Sequence, residues 1–420
     1  MSTLSRVPAL APFRIRSFRF QWPADLAASW AFEMETLILG WYVLVETRSV
    51  LMLTIFASLQ YIGTLLAPMF GVLGDRIGHR TVLCAMRGLY GILATVLMVC
   101  AFSNIVTPLL VLVITALLGL VRPSDIGMRT ALVGETMPPA YLMTSMSIQR
   151  TTQDSARIAG ALSGAGLVAA MGMAPAYTVV VCFYAISLAL TWGAGNLRRK
   201  GLITQNVAVE PTATPWHELK EGWLYVWHAP HLRAIMLFAF LLNLTAFPLF
   251  VGLLPYVAKE VYGADQTTLG TMVATAATGA LTGSLIMSRF GGAFRQGRAM
   301  LGFGAAWMLM LLIFAQMNHP AAGIPVLFLA GCMQTMGLIP ISALLLRTSD
   351  QRYRGRIMGI RMMAIYGNLP GLLLAGPLIS SLGYAAMAAL YCLVGLAFTI
   401  WIATQWRRQL WSPGAAANIH

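Results

Sequence analysis

Twelve long apolar stretches, separated by short polar gaps, constrain this chain more than any other feature. They lie at roughly 22–45, 50–70, 82–102, 106–127, 144–171, 176–196, 232–257, 268–287, 299–317, 323–346, 357–382 and 385–406. Each is long enough to cross a bilayer as a helix, which takes about 20 residues. In hydrocarbon only helices and closed barrels satisfy their own backbone polar groups, and these runs lack the alternation of barrel strands. An all-α integral membrane fold is therefore predicted. The chain is 58% apolar and 10% charged with a mean hydropathy of +0.73, too apolar for a water-soluble domain.

The net charge of +14 sits in the gaps between apolar runs, which points to a membrane surface rather than to nucleic acid. Alternate gaps hold Arg76 and Arg80, Arg198 to Lys200, Arg289, Arg295 and Arg298, and Arg352, Arg354 and Arg356. The opposite gaps hold only Arg48 and Lys259. Lysine and arginine stay on the cytoplasmic side, so both termini are expected there, in the inner membrane of a bacterium. Residues 1–21 read as a basic cytoplasmic arm, because no cleavage pattern follows the first apolar run. Cys84, Cys100, Cys182, Cys332 and Cys392 all lie in apolar runs without C-x-x-C spacing. The sequence shows no metal-ligand cluster, no phosphate-binding glycine loop and no nucleophile–base pair. No metal, cofactor, ATP-driven pumping or catalysis is expected.

One long connection divides the runs. We expect a six-helix bundle over 22–197, a cytoplasmic linker over 198–231, a second bundle over 232–406 and a tail over 407–420. Within the linker Thr214 can cap a helix that starts at Pro215. Trp216, Leu219, Trp223 and Val226 then share a face, as in an amphipathic helix lying on the membrane. The two halves also repeat. Arg150, Gly160 and Gly172 recur 211 residues later as Arg361, Gly371 and Gly383.

Between the second and third runs lies Gly71-Val-Leu-Gly-Asp-Arg-Ile-Gly-His-Arg-Thr-Val-Leu83, with a looser copy at Ser288 to Arg298. We read it as a turn whose glycines let two helix ends approach and reverse. Its spacing resembles the loop between helices two and three of the major facilitator superfamily. Glu221-Gly-Trp-Leu-Tyr-Val and Arg354-Gly-Arg-Ile-Met resemble the branch that includes the enterobactin exporter and related bacterial efflux proteins. The resemblance implies twelve transmembrane helices in two six-helix pseudo-repeats around a central cavity, working by alternating access. It places a gate at Gly71, Asp75, Arg76, Gly78 and Arg80, and its second-half counterpart at Arg289, Arg298, Arg354 and Arg356. Asp75 would meet the segment around Arg354, Arg356 and Ile357 in the outward-facing state. Three departures stand out. His79 replaces a basic residue, the fifth run has Gly160-x-x-x-Gly164 without the antiporter's Gly-Pro, and Gly376-Pro377 appears in the eleventh run.

Charges inside membrane spans are costly and mark function. The first half carries Asp25, Glu33 and Glu35 in span one, Arg87 in span three, Arg122 and Asp125 in span four, and Arg150, Asp154 and Arg157 in span five. Asp25, Glu33, Glu35, Arg150, Asp154 and Arg157 are the candidates for a proton or substrate site; a self-neutralised structural patch is the alternative. Arg150, Asp154 and Arg157 share one helix face, so the acid can pair with either arginine. Glu33 and Arg157 lie at similar depths, roughly 16 and 20 Å along their helices. Asp25 and Arg150 form a second expected pair nearer the inner side. Glu35 points about 200° away from Glu33 and cannot share its partner. Trp30, Trp41, Tyr42 and Tyr61 are aromatic candidates to stack on a planar substrate, with Trp41 and Tyr42 better suited to the interfacial belt. With these features, the resemblance implies a monomeric, proton-coupled exporter of a small organic molecule, such as a drug-like compound or siderophore, with the lipid bilayer as its other partner. Proton- or sodium-coupled import, or a non-transporting receptor on the same fold, are the alternatives.

Overall fold

The computed structural model describes residues 11–194, 215–291, 294–348, 360–361, 363–407 and 409. All regular structure among them is helical. The first half comprises α1 (Arg16–Thr47), α2 (Val50–Leu59), α3 (Ala67–Ile77), α4 (His79–Phe102), α5 (Pro108–Thr136), α6 (Pro139–Met171) and α7 (Met173–Gly193). The second comprises α8 (Pro215–His228), α9 (Pro230–Thr245), α10 (Leu254–Tyr256), α11 (Gln266–Phe290), α12 (Gln296–Ala315), α13 (Pro320–Thr348), α14 (Asn368–Leu382) and α15 (Tyr384–Gln405). Among the described residues, nine helices are long and apolar enough to cross a membrane. Three further crossings complete twelve. Helices α1 and α6 are long enough, but their acids and arginines lower their hydropathy, and α2 and α3 form one crossing broken by the 3-10 turn Ile62–Leu66.

Two compact units emerge, Met1–Leu39 with Leu65–Glu210, and Gly40–Thr64 with Pro211–His420. In the first, α6 lies directly against α1. A Cβ on Gly160 would come 2.7 Å from Glu33 Cβ and 3.0 Å from the Trp30 carbonyl, and one on Gly164 would come 3.1 Å from Met34 Cα. The missing side chains are what let the two helices touch. In the second unit α2 packs on α14, where a Cβ on Gly376 would come 2.7 Å from Thr54 Oγ1.

The internal repeat is visible in local geometry. Gly172 and Gly383 adopt φ of 84° and 82°, a region that favours glycine, and each ends a helix. Their N–H groups donate to Val168 and Ile379 carbonyls at 2.9 Å in both cases.

The motif between spans two and three is not the glycine-rich turn expected. Gly71 and Gly74 lie inside α3, and the reversal is made by Gly78 alone, with φ 95°. Gly78 N–H closes α3 on the Gly74 carbonyl at 2.8 Å, and α4 begins at the next residue. No proline follows Pro68 in α3, so the helix continues through the glycines until a residue with positive φ stops it. Gly74 is needed for proximity: a Cβ there would come 2.7 Å from His79 Cδ2 and 3.0 Å from Met128 Sδ.

Span seven also departs from one continuous helix. After α9, π-helical turns at Pro248–Gly252 and Val257–Val261 flank the short α10. Pro248 and Pro255 cannot donate backbone hydrogen bonds, which favours such irregular turns. The linker helix α8 begins at Pro215, as the sequence suggested. Val226 is buried while Trp223 and Trp227 are exposed, and their rings stack at 6.3 Å. Thr214 and the side chains of Trp216 and Leu219 lie outside what is described.

Candidate functional site

The in-span charges of the first unit sort into paired groups of very different exposure. The most buried is built on Asp25 of α1. Its carboxylate accepts from Arg87 of α4 and, at 3.1 Å, from Gln149 Nε2 of α6. Arg129 Nε of α5 lies 3.7 Å from the same carboxylate and pairs with Asp125 one helical turn earlier. Arg87 also donates to Thr191 of α7, and Arg129 donates to Ser29 Oγ at 2.7 Å. Thus α1, α4, α5, α6 and α7 are joined through two acids and two arginines that balance in charge. Removing one member would leave a buried ion uncompensated.

A second group surrounds Glu35. Its Oε2 accepts from Arg122 of α5 and from the Tyr184 hydroxyl of α7 at 3.0 Å. The Arg122 guanidinium lies 4.2 Å from the centre of the Phe32 ring and 5.9 Å from that of Tyr90. The buried Tyr177 hydroxyl lies beside the same carboxylate.

The third group is open. Glu33 Oε1 lies 3.4 Å from Arg157 Nε, with side chains 18% and 42% exposed. Arg150 Nε meets Asp154 at 3.3 Å, with the arginine 63% and the acid 7% exposed. Gly160, one turn beyond Arg157, leaves no room for a Cβ beside Glu33 Cβ. Trp30 is fixed nearby by a 2.8 Å bond from Nε1 to Ser163 Oγ.

The expected Glu33–Arg157 pair is present, and Glu35 has separate partners, as the angular offset required. The expected Asp25–Arg150 pair is not. Arg150 instead reaches Asp154 one turn along its own helix, and Asp25 is enclosed by Arg87, Arg129 and Gln149. The roles of Arg129 and Tyr184 were not anticipated. Arg129 falls beyond the expected end of span four at 127, yet Arg122, Asp125 and Arg129 repeat the close same-face spacing of Arg150, Asp154 and Arg157. That repeated pattern was the available signal.

At the α3–α4 turn, Arg80 donates to the Ala194 carbonyl at 2.9 Å, and His79 Nδ1 meets Glu135 Oε1 of α5 at 2.7 Å. Arg76 lies in the last turn of α3. The Asp75 side chain and residues Arg354, Arg356 and Ile357 lie outside the described set, so their expected meeting does too. Arg289 lies in the last turn of α11 and Arg298 in the first turn of α12, both exposed. Among the described residues no group of three or more His, Cys, Asp or Glu could hold a metal ion.

A sequence profile described as the Major Facilitator Superfamily matches residues 26–369. No curated relative matches the sequence. Solved structures with the same fold include a variant of the nucleoside transporter NupG, at TM-score 0.70 and 12% identity, covering 93% of this chain and 99% of that one. A bacterial homologue of the human lysosomal transporter Spinster, inward-facing and unoccupied, gives TM-score 0.69 at 11% identity and covers 95% and 99%. A D-xylose–proton symporter gives 0.66 at 14% identity and covers 92% and 97%. At such identities the likeness is one of fold.

Proposed function

This chain belongs to the major facilitator superfamily, and from that premise we propose a proton-coupled secondary transporter of a small organic molecule whose exchange site is Glu33 with Arg157. The observation that carries the reading is the contrast in cover. Asp25, Glu35 and Asp125 are buried with their arginines, whereas Glu33 and Arg157 meet through a longer and partly open contact. Half-exposed ion pairs are weak and exchangeable, while breaking a buried pair leaves a stranded charge. A proton on Glu33 removes the charge that holds Arg157 and changes what Arg157 can bind. A structural neighbour named for both a sugar and a proton supports testing the proton first.

The first-half gate is Gly71, Asp75, Arg76, Gly78 and Arg80, and the second-half gate is Arg289, Arg298, Arg354 and Arg356. In this reading the halves over 22–197 and 232–406 alternate, with both termini cytoplasmic in a bacterial inner membrane and the protein acting as a monomer. Export of a drug-like compound or siderophore is the direction supported by the efflux-branch resemblance. The half-exposed Arg157 favours a second reading, import together with a proton.

The test uses inverted vesicles, an imposed pH gradient and a panel of radiolabelled drug-like and catechol compounds. Wild-type protein should show gradient-dependent flux of at least one compound. Glu33→Gln should abolish the gradient dependence while binding persists. A Glu33→Gln protein still driven normally would move the role to Glu35 or Asp154.

A further inference from the structure

Among the in-span arginines of the first unit, exposure is confined to α6. Arg150 and Arg157 are 63% and 42% exposed, while Arg87, Arg122 and Arg129 are each covered to 90% or more. In both α6 pairs the acid is the more covered partner. A molecule approaching this face therefore meets guanidinium first. Guanidinium recognises carboxylate and phosphate groups through charge-assisted, directional hydrogen bonds.

We infer that the cargo is an organic anion, bound through a carboxylate or phosphate by Arg157 with Arg150 as second anchor, and that it binds together with a proton. The inference rests on the proton-exchange reading of Glu33 and Arg157, taken in its second direction, import together with a proton. Seven residues separate the two arginines, which sets them on one helix stripe about 10 Å apart. One guanidinium can hold the anionic group while the other meets a second acceptor on the same molecule.

Competition for Arg157 decides the coupling. While ionised, the Glu33 carboxylate occupies the guanidinium that a cargo anion would bind. When a proton neutralises Glu33, a cargo anion can replace the Glu33 carboxylate and the local charge stays balanced. A cationic cargo would instead compete with the proton for Glu33 and face two arginines. Anion and proton thus bind cooperatively and move in the same direction, and the linkage is reciprocal.

The experiment uses purified full-length protein at pH 7 and three acid–amide pairs: benzoate and benzamide, 2-naphthoate and 2-naphthamide, indole-3-acetate and indole-3-acetamide. Thermal shift reads binding, and a pH dye in weak buffer reads proton exchange. At least one acid should bind tenfold or more tightly than its amide, with proton uptake on binding. Arg157→Gln should weaken that acid tenfold or more, and Arg157→Lys should restore part of the loss if the fold is retained. Glu33→Gln should bind the acid undiminished without taking up a proton. Equal binding of acid and amide, proton release on binding, undiminished binding by Arg157→Gln, or no binding by any acid each overturns the inference. Failure of the underlying reading has a separate signature: acid-selective binding persists, but Glu33→Gln still takes up the proton.

Discussion

Where α1 meets α4 and α5, arginine and carboxylate side chains fill the contacts, and against α6 the Glu33–Arg157 pair accompanies a close glycine approach. Where α11 meets α13, side chains are missing instead. A Cβ on Gly279 would fall on the Phe328 carbonyl, one on Gly283 on that of Cys332, and one on Gly331 on that of Ala276. Lipid tails are as apolar as leucine, so helices in a bilayer associate through polar bonds or through close backbone packing. The first half combines both members of that pair, whereas the α11–α13 contact leans on the second, although the halves share a fold. The charge-built half can change its charge state, and a backbone-packed contact cannot. The proposed proton and cargo chemistry is accordingly assigned to the first half.

The largest expected effect comes from breaking the buried charge balance. Asp25→Leu strands Arg87, whose side chain is fully covered, and should cost about 3–5 kcal/mol. Arg87→Met strands Asp25 less completely, since Arg129 and Gln149 remain beside it, and should cost less. The double variant should recover much of the loss, because two apolar side chains replace a balanced pair. Denaturant or thermal unfolding in detergent would read all three. An additive double variant would show that these charges do not hold the first half together.

The next effect compares glycine contacts across the halves. Gly283→Ala pushes on the Cys332 backbone, and Gly160→Ala pushes on Glu33 Cβ and the Trp30 carbonyl. Each should cost about 1–3 kcal/mol through overpacking. Only Gly160→Ala should also reduce gradient-driven flux, since it alone displaces a member of the Glu33–Arg157 pair. Equal flux losses per unit of stability would dissolve the functional distinction between the halves.

The fold was legible because its signal is local: an apolar run of span length needs no partner to be recognised. The Glu33–Arg157 pair was legible because depth and helix angle follow from residue counting. The Asp25 cluster was not, because Arg87, Arg129 and Gln149 arrive from three other helices whose rotations no single span reveals. The motif turn was misread for a different reason. Glycine signals a turn and close packing alike, and Gly74 serves packing while Gly78 serves the turn.

The smallest effect tests whether an acid of the second half is structural. Asp265 precedes α11 and caps it, its Oδ1 accepting from Thr268 N–H at 2.9 Å and Thr268 Oγ1 at 2.8 Å. Those bonds favour the ionised carboxyl and hold it below the usual aspartate range. A carboxyl depressed in the folded state stabilises fully above its unfolded pKa, and the contribution fades as pH falls through the folded value. Removing a cap of this kind costs about 1 kcal/mol; at this exposed position, solvent screening limits the purely electrostatic part. Asp265→Ala should therefore lower stability modestly at pH 7, and the difference from wild type should shrink below pH 4. Gradient-driven flux per folded molecule should not change. A stability difference that persists undiminished at low pH would refute the capping account. A loss of proton drive would place chemistry in the half that the contrast assigns to packing.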